Sequence, residues 1–343
     1  MSKKSILMVV RKYPADFGHT TVINNLCNEL KKIGIDVGIG AFEFTSSPPK
    51  NIKEVKLNKL KLFFSGTNSL DFDVIILHQS FPSFFLLTKK SRKSILLYYH
   101  GASNTLQRIV FKISMMFYKN QFKKFLSVSK SGINQMKKMI GEISADVIYN
   151  GVDTTFFNPD LPQPFKKGTP QLLFVSGLRP YKKTSFLIES MTKLLKIYPD
   201  AHLQIVGTGE EQNSLGNLVK ELNLTKNVEL TGKITDDELK LRYSSCDLYV
   251  SASTFEVCPV PTLEAMACGK PLVLFDIEPH QEIIQISKAG KIFSHDKNLD
   301  FIKILEDVYQ NKESYSISAL KFAKEHDWKL ITEQLLTHID NLD

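Results

Sequence analysis

The chain has 343 residues, 43% hydrophobic and 23% charged, which is the composition of a globular protein too long for one hydrophobic core. Its apolar runs stop well short of the ~20 residues a membrane-spanning helix needs, and residues 6–10, cut off by Arg11-Lys12, read as a first buried strand and not as a signal peptide. The net charge of +8 is uneven: residues 1–165 carry 23 Lys+Arg against 11 Asp+Glu (+12), and residues 166–343 carry 21 against 25 (−4), which points the first half at something anionic unless the lysines are merely solvated.

Short β-branched runs alternate with helical periodicity, the pattern of parallel sheets wrapped by helices. In the first half, strands are predicted at 5–10, 36–41, 74–78, 94–99, 124–128 and 147–149. A helix is predicted over 20–33, with Ile23, Leu26, Leu30 and Ile33 on one face and Gly34 as its stop, and another over 129–139. Asp71-Phe-Asp73 mimics a metal-binding Asp-x-Asp but directly precedes a strand, where acids commonly flank an edge, so no metal is expected there.

Helical spacing from Arg108 to Leu126 aligns Arg108, Lys112, Lys119 and Lys123 in one stripe. Met115 and Met116 fall in its gap, and Phe111, Tyr118, Phe122 and Phe125 lie along its flank. A basic stripe beside an aromatic one suits a helix lying on an anionic membrane surface. The alternative is that the aromatics pack on the sheet and the lysines face water.

Asn150-Gly-Val-Asp153, followed by Pro162, Pro164, Gly168 and Pro170, reads as a linker. The pattern then restarts, with strands at 172–175, 202–206, 228–231, 248–251 and 271–275. Helices are expected at 184–197, 212–222, 236–244 and 262–267, with a long helical tail from 301; Asp236-Asp237-Glu238 is an N-cap and acidic first turn. Cys27, Cys246, Cys258 and Cys268 form no Cys-x-x-Cys pair and have no nearby His at zinc spacing, which predicts reduced thiols of a cytoplasmic protein.

Parallel strands place ligand loops at their C-terminal ends, near the point where strand order reverses. Glu256 and Glu264, eight positions apart, bracket a Pro-containing turn between a strand and a helix. A carboxylate accepts hydrogen bonds from two neighbouring hydroxyls, and free amides at a helix N-terminus suit a diphosphate. Without further support, the two glutamates are equally well a dipole partner and a solvated side chain.

The combination of motifs resembles retaining glycosyltransferases of the GT-B fold, specifically glycosyltransferase family 4. Beyond Glu256-x7-Glu264, the resemblance rests on 148–156 (Ile-Tyr-Asn-Gly-Val-Asp-Thr-Thr-Phe), 174–183 (Phe-Val-Ser-Gly-Leu-Arg-Pro-Tyr-Lys-Lys), Val206-Gly-Thr-Gly209, 243–251 and His326-Asp-Trp328. It implies an α/β chain of two Rossmann-like domains with a cleft between them. The N-terminal acceptor domain would span 1–158 and the nucleotide-sugar donor domain 159–325, and a C-terminal helix, 326–343, would cross back to the first.

The resemblance also implies roles. Glu256 would bind the transferred sugar, Glu264 the ribose hydroxyls, and Lys182 would neutralise the diphosphate as the glycosidic bond breaks. Arg179 would assist, although the family's arginine stands two positions earlier, where this chain has Gly177. Cys258 and Val260 lie in the same donor loop, and Gly207 and Gly209 would shape the nucleoside pocket or simply form turns. His100 matches a cleft histidine that contacts the donor sugar. Gly18 would let backbone amides approach a phosphate, or is an ordinary turn glycine.

The family's Glu-Gly-Phe-Gly loop reads Glu256-Val-Cys-Pro259 here, so one backbone amide donor is missing. The expected co-substrate is a nucleoside-diphosphate sugar, with no metal or redox cofactor. The expected acceptor is a glycan or lipid-linked glycan at the inner membrane face, and no nucleic-acid partner is expected. A non-catalytic nucleotide-sugar or glycan binder and a nucleotide-sugar epimerase on a similar fold remain as alternatives.

Overall fold

Aliphatic and β-branched runs flanked on both sides by amphipathic helices form strands buried on both faces, as parallel sheets require. The computed structural model describes residues 4–15, 19–78, 93–102, 104–294 and 300–342. It divides into two units, Met1–Asn150 with Trp328–Asp343, and Gly151–Asp327. Gly18 and Ser103 lie outside the described residues.

The first unit carries β1 (Ile6–Val9), β2 (Lys12–Tyr13), β3 (Val37–Ala41), β4 (Glu43–Phe44), β5 (Lys53–Lys56), β6 (Val74–Leu77), β7 (Ser94–Tyr99), β8 (Lys124–Ser127) and β9 (Ala145–Val147). Seven of them form a sheet in the order β5-β3-β1-β6-β7-β8-β9, parallel throughout, while β2 and β4 pair separately. Chain order reverses at β1, which pairs with β3 on one side and β6 on the other. Leu7, Val9, Ile75, Leu97, Phe111 and Phe125 meet in one core. The helix Trp328–Asp340 packs on the helix His19–Lys32 in this unit.

The second unit carries β10 (Gln171–Val175), β11 (His202–Val206), β12 (Val228–Gly232), β13 (Leu248–Ser251), β14 (Leu272–Phe275) and β15 (Gly290–Phe293). Their order is β12-β11-β10-β13-β14-β15, again parallel, with the reversal at β10 between β11 and β13. Alternation along β10 feeds two cores: Leu172 and Phe174 join one with Ile205 and Phe293, and Leu173 joins the other with Tyr243 and Leu274. The two ends of this unit are bonded to each other. Val152 N–H donates to the His326 carbonyl at 2.9 Å and the Thr154 hydroxyl to Asp327 at 2.5 Å, while Asp153 caps its own turn through Phe156 N at 2.9 Å.

Several sequence expectations are corrected. The strand placed at 147–149 is Ala145–Val147, because Phe125 pairs with Ala145. β5 and β15 and the helices Lys59–Ser65 and Glu278–Ser287 had no predicted counterpart, and the tail from 301 is three helices, Phe301–Gln310, Lys312–Glu325 and Trp328–Asp340.

The continuous stripe from Arg108 to Lys123 is also corrected. Its helix is Thr105–Tyr118, capped by Asn104; Lys119 lies in a 3-10 turn, and Lys123 N–H already donates to Ile95 O at 2.9 Å beside β7. Phe111, Met115, Phe122 and Phe125 are core residues. What the helix turns outward is a different apolar row: Leu106 (70% exposed), Ile109, Ile113, Met116 (74%) and Phe117 (73%). Asp73, set aside as a ligand, binds the Ser5 amide and hydroxyl at 2.8 Å each, and these bonds hold its carboxyl below the ordinary range. Among the described residues no cluster of three or more His, Cys, Asp or Glu could hold a metal, and no helix is long and apolar enough to cross a membrane.

One contact tests the second sheet directly. A Cβ on Gly290 would stand 1.9 Å from the Leu272 carbonyl oxygen, a backbone atom that cannot move aside without opening β14 from β15. Gly290→Ala is expected to lower the thermal unfolding midpoint by roughly 5 °C or more, the overpacking scale for a unit of this size. An unchanged midpoint in a calorimetric scan would refute this packing.

Candidate active site

Because β10 and β13 are neighbours, the loops leaving their C-terminal ends emerge side by side where strand order reverses. The first loop closes in a 3-10 turn, Pro180–Lys182, opened by Arg179 and ended by Lys183 at φ 50°. The second is stitched to it: Thr254 N–H and hydroxyl both donate to the Tyr181 carbonyl, at 2.8 and 3.0 Å. Phe255 packs edge-on to the Tyr181 ring with centroids 6.1 Å apart.

This stitching brings the Lys182 ammonium onto the Glu256 carboxylate as an ion pair, with side chains only 14% and 15% exposed. The ammonium also lies 5.4 Å from the Tyr181 ring centroid. At such low exposure each charge depends on the other, since an unpaired ion there would bear most of its desolvation cost.

Gly207 and Gly209 set the height of the first loop. A Cβ on Gly207, at φ +128°, would lie 2.0 Å from Ser176 O, and one on Gly209 would lie 2.2 Å from Leu178 O. Only with glycine at 207 and 209 can this stretch rest on 176–178, where Leu178 N–H donates to Thr208 O at 3.0 Å.

After Glu256 the loop runs through the half-buried Cys258 and Pro259 into the helix Val260–Ala267. Pro259 occupies the N-cap, and its carbonyl accepts from Thr262 N at 3.2 Å. Glu264 sits one turn in and accepts a hydrogen bond from the Tyr243 hydroxyl at 2.8 Å. Tyr243 is fully buried between Phe157 and Tyr249. Burial pushes the Glu264 carboxyl up to about 7 against the opposing pull of that bond. The two glutamates therefore occupy different environments: one is ion-paired on a loop, the other desolvated on a helix.

His100 belongs to the first unit, at the end of β7. Its Nε2 lies 2.9 Å from Nδ1 of the buried His78, which follows β6, and its ring stands 4.7 Å from that of His19.

Sequence reasoning assigned no role to four residues here: Thr254, Tyr243, His78 and His280. Tyr243 opens the motif at 243–251, whose aromatic-to-acid spacing was the available signal. His280 is fully buried in the helix Glu278–Ser287 and bonds the Phe275 carbonyl through Nδ1 at 2.8 Å. Burial lowers its pKa, and the nearby Glu256 charge opposes that shift.

Two family models match nearly end to end: Glycosyltransferase Family 4 over residues 18–156, and Glycosyl transferases group 1 over residues 160–322. An uncharacterized glycosyltransferase of Haemophilus influenzae is 32% identical over 145 residues, 42% of this chain but only 40% of that protein's length. A phosphatidyl-myo-inositol mannosyltransferase of Mycolicibacterium smegmatis is 24% identical over 78% of this chain and 70% of its own. The crystal structure of Anabaena Alr3699/HepE in complex with UDP and glucose superposes with a TM-score of 0.80 at 17% identity, over 98% of this chain and 99% of that one.

The raised Glu264 carboxyl makes stability depend on pH. Its folded pKa of about 7 exceeds the ordinary glutamate value of 4.5, so between these values the folded state holds a proton that the unfolded state releases. Stability must then fall as pH rises through that window, by an amount on the order of 3 kcal/mol at most. Denaturant unfolding of wild type and Glu264→Gln at pH ~5 and ~8 should show a loss in wild type that the variant lacks. Equal losses in both would contradict the burial of this carboxyl.

Proposed function

The chain belongs to the group 1 glycosyltransferases of family 4, on the GT-B fold, and we propose that it moves a sugar from a nucleoside diphosphate to an acceptor hydroxyl with the anomeric configuration retained. The observation that carries this reading is the Lys182–Glu256 ion pair at the strand-order reversal, one loop away from Glu264. An incoming nucleotide sugar brings what each partner needs in place of the other. Its diphosphate takes the ammonium, and its sugar hydroxyls donate to the released carboxylate. Ribose hydroxyls donate to Glu264, and binding them favours its ionised form.

In the reaction the bond from the anomeric carbon to the diphosphate oxygen breaks, and its electron pair stays on the diphosphate. The acceptor oxygen bonds to the same face of that carbon and gives up its proton to the departing diphosphate oxygen. Lys182 stabilises the growing charge, with no metal in the scheme. Support for the retained configuration comes from the resemblance to family 4 and not from the spacing of the glutamates. His100 meets a substrate hydroxyl, and Arg179 adds positive charge near the diphosphate.

We place the acceptor among lipid-linked glycans or growing surface polysaccharide, at the inner, cytoplasmic face of an anionic membrane. The Mycolicibacterium smegmatis relative is named as a phosphatidyl-myo-inositol mannosyltransferase. On this chain the support is the outward row of the helix Thr105–Tyr118, with exposed Arg108 and Lys112 beside it, in the half that carries the +12 charge. Apolar burial and attraction to anionic headgroups act together on such a helix.

Incubation with UDP-, GDP- and ADP-sugars tests the reaction: slow donor hydrolysis should appear with one of them and vanish in Glu256→Ala. Lys182→Ala should slow transfer by ~10²-fold or more, the scale of one electrostatic stabiliser. Near-normal turnover in a folded Lys182→Ala protein would sink its assignment. For the membrane, Leu106→Asp combined with Phe117→Asp should abolish sedimentation with phosphatidylglycerol vesicles and leave donor hydrolysis in solution unchanged. Wild-type protein that ignores such vesicles at low salt would remove this surface from the account.

A further inference from the structure

The first unit holds a short relay of uncharged groups at the place where its strand order reverses. Met8 lies within β1, His78 directly follows β6, and His100 directly follows β7, so three adjacent strands deliver them to one spot. His78 Nε2 stands 3.1 Å from the Met8 sulfur, and His78 Nδ1 stands 2.9 Å from His100 Nε2. The two imidazoles stack with centroids 5.2 Å apart, while Tyr98 closes on His100 at 4.9 Å and donates its hydroxyl to Ile148 O at 2.8 Å.

A thioether has lone pairs and no proton to give, so the nitrogen facing it must carry the hydrogen. Burial keeps both rings neutral: His78 is pushed down to about 3 and His100 well below its ordinary value, with the neighbouring His19 adding to both shifts. A neutral imidazole has one N–H. If His78 spends its own on Met8, its Nδ1 is a lone pair, and the hydrogen between the two rings belongs to His100 Nε2.

We infer that Met8 and His78 lock His100 in its Nε2–H tautomer, so that Nδ1 of His100 can only accept a hydrogen bond. His78 is thus a positioning residue, and Met8 sets its polarity. The consequence is chemical selectivity: an acceptor-only nitrogen takes a sugar or acceptor hydroxyl and offers nothing to a phosphate oxygen. This rests on the reading of His100 as a substrate contact, and it adds which kind of group that contact recognises.

The test uses the full chain labelled with 15N-histidine and long-range proton–nitrogen correlation spectra, in which the two tautomers of each ring differ. His78 and His100 should both appear as Nε2–H and stay neutral through the range in which an exposed histidine takes up its proton. An Nδ1–H pattern for His100, or averaging between tautomers, would overturn the inference without any variant being made.

The functional arm compares His78→Phe with His78→Asn, whose side-chain oxygen can accept from His100 where Nδ1 did. The Phe variant should lower kcat/KM for the donor ~10-fold and leave nucleoside diphosphate affinity intact, the effect of losing one orienting hydrogen bond. The Asn variant should restore the tautomer and most of the rate. Equal losses in both would mean that His78 only fills space. Full kcat/KM in His100→Ala would overturn the selectivity but not the tautomer, which the spectra decide separately.

Discussion

The second unit depends on one interaction, the ion pair between Lys182 and Glu256. At that depth an unpaired charge would bear most of its desolvation cost, which the partner offsets. Much of the surrounding backbone serves to make the pair meet. Thr254 clamps the second loop to the Tyr181 carbonyl, and Gly207 and Gly209 let the first loop settle low enough to be clamped. On the proposed reading, a ligand carrying both an anion and hydroxyl donors exchanges each partner without stranding the other.

The two units build their functional ends by the same rule and fill them with opposite chemistry. In each, the first strand of the sheet lies between neighbours reached in opposite directions, and the chain leaving the strands at that reversal carries the side chains described above. In the second unit these are an ammonium and carboxylates. In the first they are neutral imidazoles backed by a thioether, where burial suppresses charge altogether. On the proposed reading, one unit meets the charge that develops during reaction and the other meets hydroxyl groups.

Much of this was legible in the sequence. Alternating strand and helix periods located most of the strands, and the Pro-containing turn between Glu256 and Glu264 put both on the correct sides of a strand-to-helix junction. The failures have physical causes. β5 is an edge strand reading Lys-Glu-Val-Lys, with no apolar face to announce it. The stripe from Arg108 to Lys123 arose because charge spacing continues through a turn that the backbone does not follow. Leu106 and Phe117 were overlooked because an apolar residue on an amphipathic helix reads as core by default, and only packing reveals which apolar row is left over. Tyr243 and His78 act through partners far away in the chain, 21 and 70 residues distant, and no local pattern encodes such pairings.

The central claim is a division of labour within the second unit: Glu264 holds the nucleoside, and Glu256 holds the sugar while parking Lys182 until the diphosphate arrives. Calorimetric titration of UDP, GDP and ADP into wild type, Glu264→Ala and Glu256→Ala tests it most directly, because a free nucleoside diphosphate carries the ribose and the phosphates but no sugar. The account predicts that Glu264→Ala loses affinity for the preferred nucleotide, whereas Glu256→Ala binds it at least as tightly as wild type because Lys182 no longer has to be released. Equal loss of affinity in both variants would contradict it.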